Sequence, residues 1–279
     1  MNHLATASID GGPEEAVVVR ADGVVRAQDL GFGTDLYAII RTQRWEDLLA
    51  AADEPTTLVD ESSCRWGAPY RHPRLIWGIG LNYALHAADL SEGVPPEPAS
   101  FIKADHTVIG PGEPIPIPPQ SQRTTAEAEC GIIIGRPCRN VTEEEALDHV
   151  LGFVPVLDQT AEDILQVNPR FLTRAKNFPG FFSFGPRIVP VAEVLERAGR
   201  LEDVEVSTVV NDGEPRSNIV ANMTYSPAKL IAFHSAVMPL QPGDIISPGT
   251  PGAIHIRPGD VAECRIPAVG TLSNPVVAG

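Results

Sequence analysis

Glu127 and Glu129 stand two residues apart, just ahead of the apolar run Cys130-Gly-Ile-Ile-Ile134. In a β-strand, residues i and i+2 share a face, so both carboxylates would project together. Like charges that close repel unless a cation or solvent comes between them. Hard oxygen ligands of this kind suit Mg²⁺ or Mn²⁺, with Ca²⁺ as a further candidate. The same spacing also fits an exposed acidic strand end. Asp158 closes a second apolar run, Leu151-Gly-Phe-Val-Pro-Val-Leu157. An acid at a strand terminus serves chemistry or caps a following helix. His86 and Asp89 lie three apart in Tyr83-Ala-Leu-His-Ala-Ala-Asp89, on one face if that segment is helical. A carboxylate there would fix the imidazole tautomer and raise its basicity, as a general base requires. The alternative is an ordinary surface pair. Lys176, within Arg174-Ala-Lys-Asn-Phe-Pro-Gly180, could stabilise a developing oxyanion or simply be solvated. The other histidines have no ligand spacing. There is no P-loop, G-x-S-x-G or H-E-x-x-H, and Gly78-Ile-Gly80 lacks the third glycine and βαβ pattern of a dinucleotide loop.

The elements that must position these groups are mostly strands. The 279 residues, 43% of them apolar, are enough for a large core, and the 27 prolines are spread along the chain as in a loop-rich β protein. Ala16–Arg20 and Gly23–Arg26 flank Ala21-Asp22 as a hairpin. Trp45–Ala52 and Ser226–Ser235 carry helical pattern, and Thr142 with Glu143, Glu144 and Glu145 after it predicts a capped helix running to about Val150. Asn82 to Leu90 also has helical character. Glu129–Ile134 and Leu151–Leu157 are buried-type strands, and Asn211-Asp-Gly213 predicts another hairpin. Strands outnumber helices without regular alternation, which argues against a TIM barrel or doubly wound sheet. The expected fold class is α+β, mainly β, with a small N-terminal domain over residues 1–68 and a catalytic domain over residues 69–279. The net charge of −15 makes nucleic acid and anionic membrane poor partners. It would also repel a dianionic substrate unless a bound cation reverses the local field. Four cysteines without C-x-x-C spacing and no signal-like N-terminus suit a reduced, cytoplasmic chain.

From Leu75 to Val277 the motifs fall in an order that resembles the fumarylacetoacetate hydrolase family. Gly80-Leu-Asn-Tyr-Ala-Leu-His86 is similar to its G-x-N-Y-x-x-H motif, with Asp89 at an acidic position. Phe101-Ile-Lys103 with Ile109-Gly-Pro111, Glu127-Ala-Glu129 with Ile132–Gly135, and Gly152–Asp158 come next. Lys176 with Gly180 and Phe184-Gly-Pro186, then Pro242-Gly-Asp244 with Gly249-Thr-Pro251 and Pro258-Gly-Asp260, complete the set. The resemblance implies a mixed β-roll catalytic domain, a homodimer, and Mg²⁺ or Mn²⁺ held by Glu127, Glu129 and Asp158. It implies a small-molecule substrate: an acylpyruvate-like or diketo acid whose C–C bond is hydrolysed. Alternatives are decarboxylation, dehydration or isomerisation of a related keto-acid, or a non-catalytic metal-binding homologue. His86, oriented by Asp89, would be the base and Lys176 the oxyanion support. Tyr83, Gln166, Gly249 and Thr250 would contact substrate. The chain departs from the pattern in D-x-[ST]-A-R-D-x-Q: the arginine that can bind a substrate carboxylate is Glu162, and Gln166 stands one residue late. Thr125 replaces the acid before E-x-E, and Pro248 opens the T-G-T-P segment.

Overall fold

The computed structural model describes residues 2–54, 56–84 and 95–279. Its centre is an antiparallel pair, Ala128–Ile134 against Val150–Asp158, every residue of both strands buried. β-Branched and aromatic side chains suit a pleat covered on both faces. Ile132, Ile134, Phe153 and Leu157 enter one apolar cluster, while Ile133, Val154 and Val156 enter another on the opposite side.

The sheet spreads from this pair in both directions. On one side Val150–Asp158 pairs with Arg187–Pro190, which pairs with His3–Ile9, then Glu14–Arg20 and Gly23–Arg26. The Ala21-Asp22 hairpin is thereby present as read from sequence. On the other side Ala128–Ile134 pairs with Ile245–Ser247, which runs parallel to Ile76–Gly80, with Ala99–Lys103 as the edge strand. Leu4, Leu36 and Trp45 share a core cluster with Ile133, Leu151 and Ile188. A buried polar stitch accompanies it: His3 Nε2 lies 2.9 Å from Glu193 Oε1 in the helix Val191–Ala198, and Arg197 pairs with the same carboxylate.

A five-stranded sheet (Arg216–Ile219, Glu205–Val210, Val261–Ile266, Gly270–Ala278, Ile115–Ile117) packs Val206, Cys264 and Leu272 into the core of Cys130 and Ile132. A small sheet of Thr160–Ala161, Thr124–Ala126 and Ile254–His255 completes the mainly β architecture. Asn211 and Asp212 both take φ of 53°, and Gly213 N donates to Val210 O, as the Asn-Asp-Gly signal requires. Pro227–Val237 and Trp45–Ala51 are helical.

The helix expected from Thr142 does not form. Thr142 and Glu145 do exchange capping hydrogen bonds, Thr142 N to Glu145 Oε2 at 3.0 Å and Glu145 N to Thr142 Oγ1 at 3.3 Å. Only a short 3₁₀ turn, Ala146–His149, separates them from the strand Val150–Asp158. A capping box fixes a first turn, and the β-rich run beyond it takes the chain into the sheet. No described helix is long and apolar enough to cross a membrane.

Candidate metal centre

The site grows from one antiparallel register. Ala128 stands opposite Leu157, Thr125 opposite Thr160, and Thr124 opposite Ala161. Asp158 N donates to Glu127 O at 2.9 Å between them, so the ladder continues through the break in strand at Glu127. Side chains alternate along such a ladder. Arg123, Thr125, Glu127 and Glu129 therefore form one row, and Asp158, Thr160 and Glu162 form the facing row. Ala126 and Ala128 point the other way, into the core.

The inner ends of the two rows hold the acids. Glu127, Glu129 and Asp158 are 8%, 1% and 0% exposed, and one oxygen from each lies within 4.8 Å of the others. Each carboxylate is aimed by neighbours. Thr125 Oγ1 and Thr160 Oγ1 donate to Glu127 Oε1 at 3.0 and 2.6 Å, and Lys176 Nζ donates to Oε2 at 2.9 Å. Ser247 Oγ and Gly249 N donate to Glu129 Oε2 at 2.6 and 2.8 Å. Lys103 Nζ donates to Asp158 Oδ1 at 2.6 Å. Asp158 Oδ2 is buried and, among the described residues, makes no hydrogen bond, with the Lys176 ammonium 3.0 Å away as its ion-pair partner. Three buried carboxylates that converge on one point fit a divalent cation, and an all-oxygen donor set selects a hard one.

The electrostatics fit as well. Burial, reinforced by Asp158, pushes Glu129 up to about 8 against the pull of Lys176, Ser247 and Gly249. Burial works against the Lys176 ammonium, but Asp158, Glu127 and Glu129 outweigh it and hold this lysine above its ordinary range. Lys103, buried throughout, is drawn down to about 8 by desolvation despite Asp158. At a pH below about 8, metal binding would displace a proton from Glu129. Mn²⁺ affinity should therefore rise by up to about tenfold per pH unit below that value and level off above it. Calorimetric titration in two buffers of different ionisation enthalpy reads the released proton.

The other residues singled out by the sequence divide. Gly249 sits at φ 105°, and a Cβ there would lie 2.9 Å from Asn82 Cβ, so only glycine brings this N–H to Glu129. Thr250 is buried, with Oγ1 3.3 Å from Gly252 N and 3.5 Å from Thr208 Oγ1. Tyr83 is buried, its hydroxyl has no hydrogen-bond partner among the described residues, and burial raises its pKa further than the nearby Cys130 and Glu129 do. Gln166 is exposed and donates from Nε2 to Glu162 Oε1 at 2.8 Å. His86 and Asp89 lie outside the described residues.

Lys103, Thr125, Thr160 and Ser247 belong to the site although spacing does not select them. Lys103 stands in the Phe101-Ile-Lys103 motif, but nothing in that motif marks it as buried. It also donates to Lys176 O at 2.5 Å, so one ammonium ties the metal-site aspartate to the backbone of the second lysine.

Comparison with known proteins agrees with this geometry. The family described as Fumarylacetoacetate (FAA) hydrolase C-terminal matches residues 75–277. The 2,4-didehydro-3-deoxy-L-rhamnonate hydrolase of Sphingomonas sp. is 31% identical over 276 residues, covering 95% of this chain and 93% of that protein. The mitochondrial oxaloacetate tautomerase of Xenopus laevis is 31% identical over 237 residues, covering 82% and 73%. Among solved structures, maleylpyruvate hydrolase from Sphingobium sp., in complex with manganese(II) and pyruvate, superposes with a TM-score of 0.81 at 26% identity and covers 100% of both chains.

Proposed function

This chain belongs to the fumarylacetoacetate hydrolase family, and from that premise we propose that it is a divalent-metal-dependent hydrolase cleaving a C–C bond of an acylpyruvate-like or diketo acid. The observation that carries the reading is the buried trio Glu127, Glu129 and Asp158, one oxygen of each lying within 4.8 Å of the others. Mg²⁺ or Mn²⁺ bound there supplies Lewis-acid charge and a template for two substrate oxygens.

The rest falls to the chain. Thr125, Thr160, Ser247 and Gly249 keep the carboxylates from rotating out of the ligating arrangement. Lys176, 5% exposed, keeps a fixed positive charge where negative charge builds on a substrate oxygen. His86, oriented by Asp89, draws the proton from water. The hydroxyl adds to the acyl carbon, the C–C electron pair leaves on the keto-acid fragment, and that carbon takes back a proton. Tyr83 and Thr250 hold substrate oxygens, while the Gly249 N–H is engaged by Glu129 and the Gln166 amide by Glu162.

The test is chelation and then product analysis. Stripping with EDTA should abolish turnover of an acylpyruvate, Mn²⁺ or Mg²⁺ should restore it, and products should together gain one water. Turnover indifferent to chelation sinks the reading. Likeness to an oxaloacetate tautomerase supports a second reading that keeps the cation and changes the outcome. Loss of CO₂ or water, or no mass change, identifies it. Normal metal binding with no turnover across a keto-acid panel marks a non-catalytic homologue.

A further inference from the structure

Each of the three acids keeps one oxygen under a local donor. On Glu127 it is Oε1, held by Thr125 and Thr160. On Glu129 it is Oε2, held by Ser247 and Gly249. On Asp158 it is Oδ1, held by Lys103. Lys176 reaches the second oxygen of two of them, Glu127 Oε2 at 2.9 Å and Asp158 Oδ2 at 3.0 Å. The donors are not equivalent. A hydroxyl or a backbone N–H is neutral, and the oxygen it holds has a second lone pair for a cation. An ammonium brings a full positive charge. A divalent ion on Asp158 Oδ1 would stand about 4 Å from the Lys103 charge, with no water to screen the repulsion.

Lys103 cannot swing aside. Its side chain is fully buried, and its strand, Ala99–Lys103, pairs it with Ile76. Asn177 clamps the backbone on both sides. Its Nδ2 donates to Ile102 O at 3.2 Å, and its Oδ1 accepts from Ala104 N at 2.7 Å. The ammonium also donates to Lys176 O, and the Phe182 ring lies 5.9 Å from it. Phe182 is in turn the ladder partner of Asp158. The lysine and the aspartate are therefore fixed against each other by the sheet.

The number of oxygens a carboxylate can give decides which cation a cluster prefers. Ca²⁺ takes about six to eight oxygens and readily accepts both from one carboxylate. Mg²⁺ takes about six at shorter distances and keeps several of its waters. We propose that Lys103 is a positioning residue that limits Asp158 to one ligating oxygen, Oδ2, and so biases the site toward Mg²⁺ or Mn²⁺ and against Ca²⁺. This rests on the metal-centre reading above. The two lysines divide the aspartate between them: a bound cation replaces Lys176 at Oδ2 and leaves Lys103 on Oδ1.

Calorimetric titration of the metal-free protein with Mg²⁺ and with Ca²⁺ tests this through the ratio of the two dissociation constants. Lys103→Met should move that ratio toward Ca²⁺ by at least about tenfold, because the freed oxygen completes the larger shell. Lys176→Met is the control for charge. It removes the same single charge from the same cluster, and should tighten both cations while leaving the ratio within about twofold. A ratio unmoved in Lys103→Met, or moved equally in Lys176→Met, overturns the proposal. Lys103→Gln, neutral but able to keep an amide hydrogen bond, repeats the measurement if the methionine variant does not fold. Water-proton relaxation of the Mn²⁺-loaded wild type needs no variant. Three one-oxygen ligands on a six-coordinate ion leave about three waters, and a count of about two or fewer overturns the reading of Asp158. If none of the three cations binds the wild type, the metal centre itself fails and takes this inference with it.

Discussion

Glu129→Gln should fold, lose its tight Mn²⁺ site and lose at least about 10³-fold in turnover, the scale of several kcal/mol that a Lewis-acid cation contributes. The amide keeps an acceptor for Ser247 Oγ and Gly249 N, so neither buried donor is stranded. It removes the charge that Asp158 opposes. The variant also carries a stability signature. Glu129 is raised from an ordinary carboxylate to about 8 in the folded chain, so the folded state binds the proton more tightly than the unfolded one. Its contribution is fully present below the unfolded value and is lost as pH rises through about 8. Metal-free wild type should therefore lose stability across that window, at a slope of up to about 1.4 kcal/mol per pH unit. Glu129→Gln should lack this slope. Denaturant unfolding at a series of pH values, with EDTA present, reads the difference. Equal slopes would mean that burial and Asp158 do not raise Glu129 in the folded chain. Turnover retained by the variant would remove Glu129 from the metal centre.

The acid cluster arises from strand register more than from any one element. Glu127 and Glu129 share a face because the chain alternates there, and that much is legible in the spacing. Asp158 joins them only because Ala128 pairs with Leu157, a contact between residues far apart in sequence. No local pattern encodes that pairing, and only the ordered resemblance points to it. The hydroxyls that aim the carboxylates are invisible in the sequence for another reason. Thr125, Thr160 and Ser247 are small, common residues whose role depends entirely on what stands opposite. Thr125 stands out only as a departure from the family pattern, and in the fold it donates to Glu127. Glu162 is the same kind of departure. In the fold it is neutralised from the facing strand by Arg123, a partner that no reading of its own neighbourhood could supply.

Elsewhere local signals succeed where the local geometry is decisive and fail where the sheet overrides it. Asn211-Asp-Gly213 forms its turn because positive φ is required at adjacent residues. Thr142 and Glu145 form their capping exchange, but a cap does not make a helix when the residues after it are claimed by the strand Val150–Asp158. Lys103 shows the same limit for charge. A lone lysine in an extended segment reads as solvated, yet here it is buried on an edge strand because Asp158 and the Lys176 carbonyl both receive its ammonium.

Lys176→Met should separate two roles of this lysine, counterion of the acids and support for charge on substrate. Lys176 is the counterion of Glu127 and Asp158, at 2.9 and 3.0 Å. Removing one partner of a buried ion pair typically costs about 3–5 kcal/mol, so the metal-free variant should be markedly less stable. Mn²⁺ can replace that positive charge. The variant should then bind Mn²⁺ more tightly than the wild type, since no ammonium competes for the same oxygens, and its melting temperature should rise more on metal addition. Turnover should behave differently. The carboxylates would hold Mn²⁺ between them, whereas Lys176 lies on the side of Phe101, its Nζ 5.2 Å from that ring's centroid. If it also supports the charge developing on substrate, turnover at saturating Mn²⁺ should stay depressed by about 10²–10³, the loss typical of a missing oxyanion donor. A variant restored by Mn²⁺ in stability but not in turnover fits both roles. Full recovery of turnover at saturating Mn²⁺ would reduce Lys176 to a counterion and leave the oxyanion without a protein partner at this position.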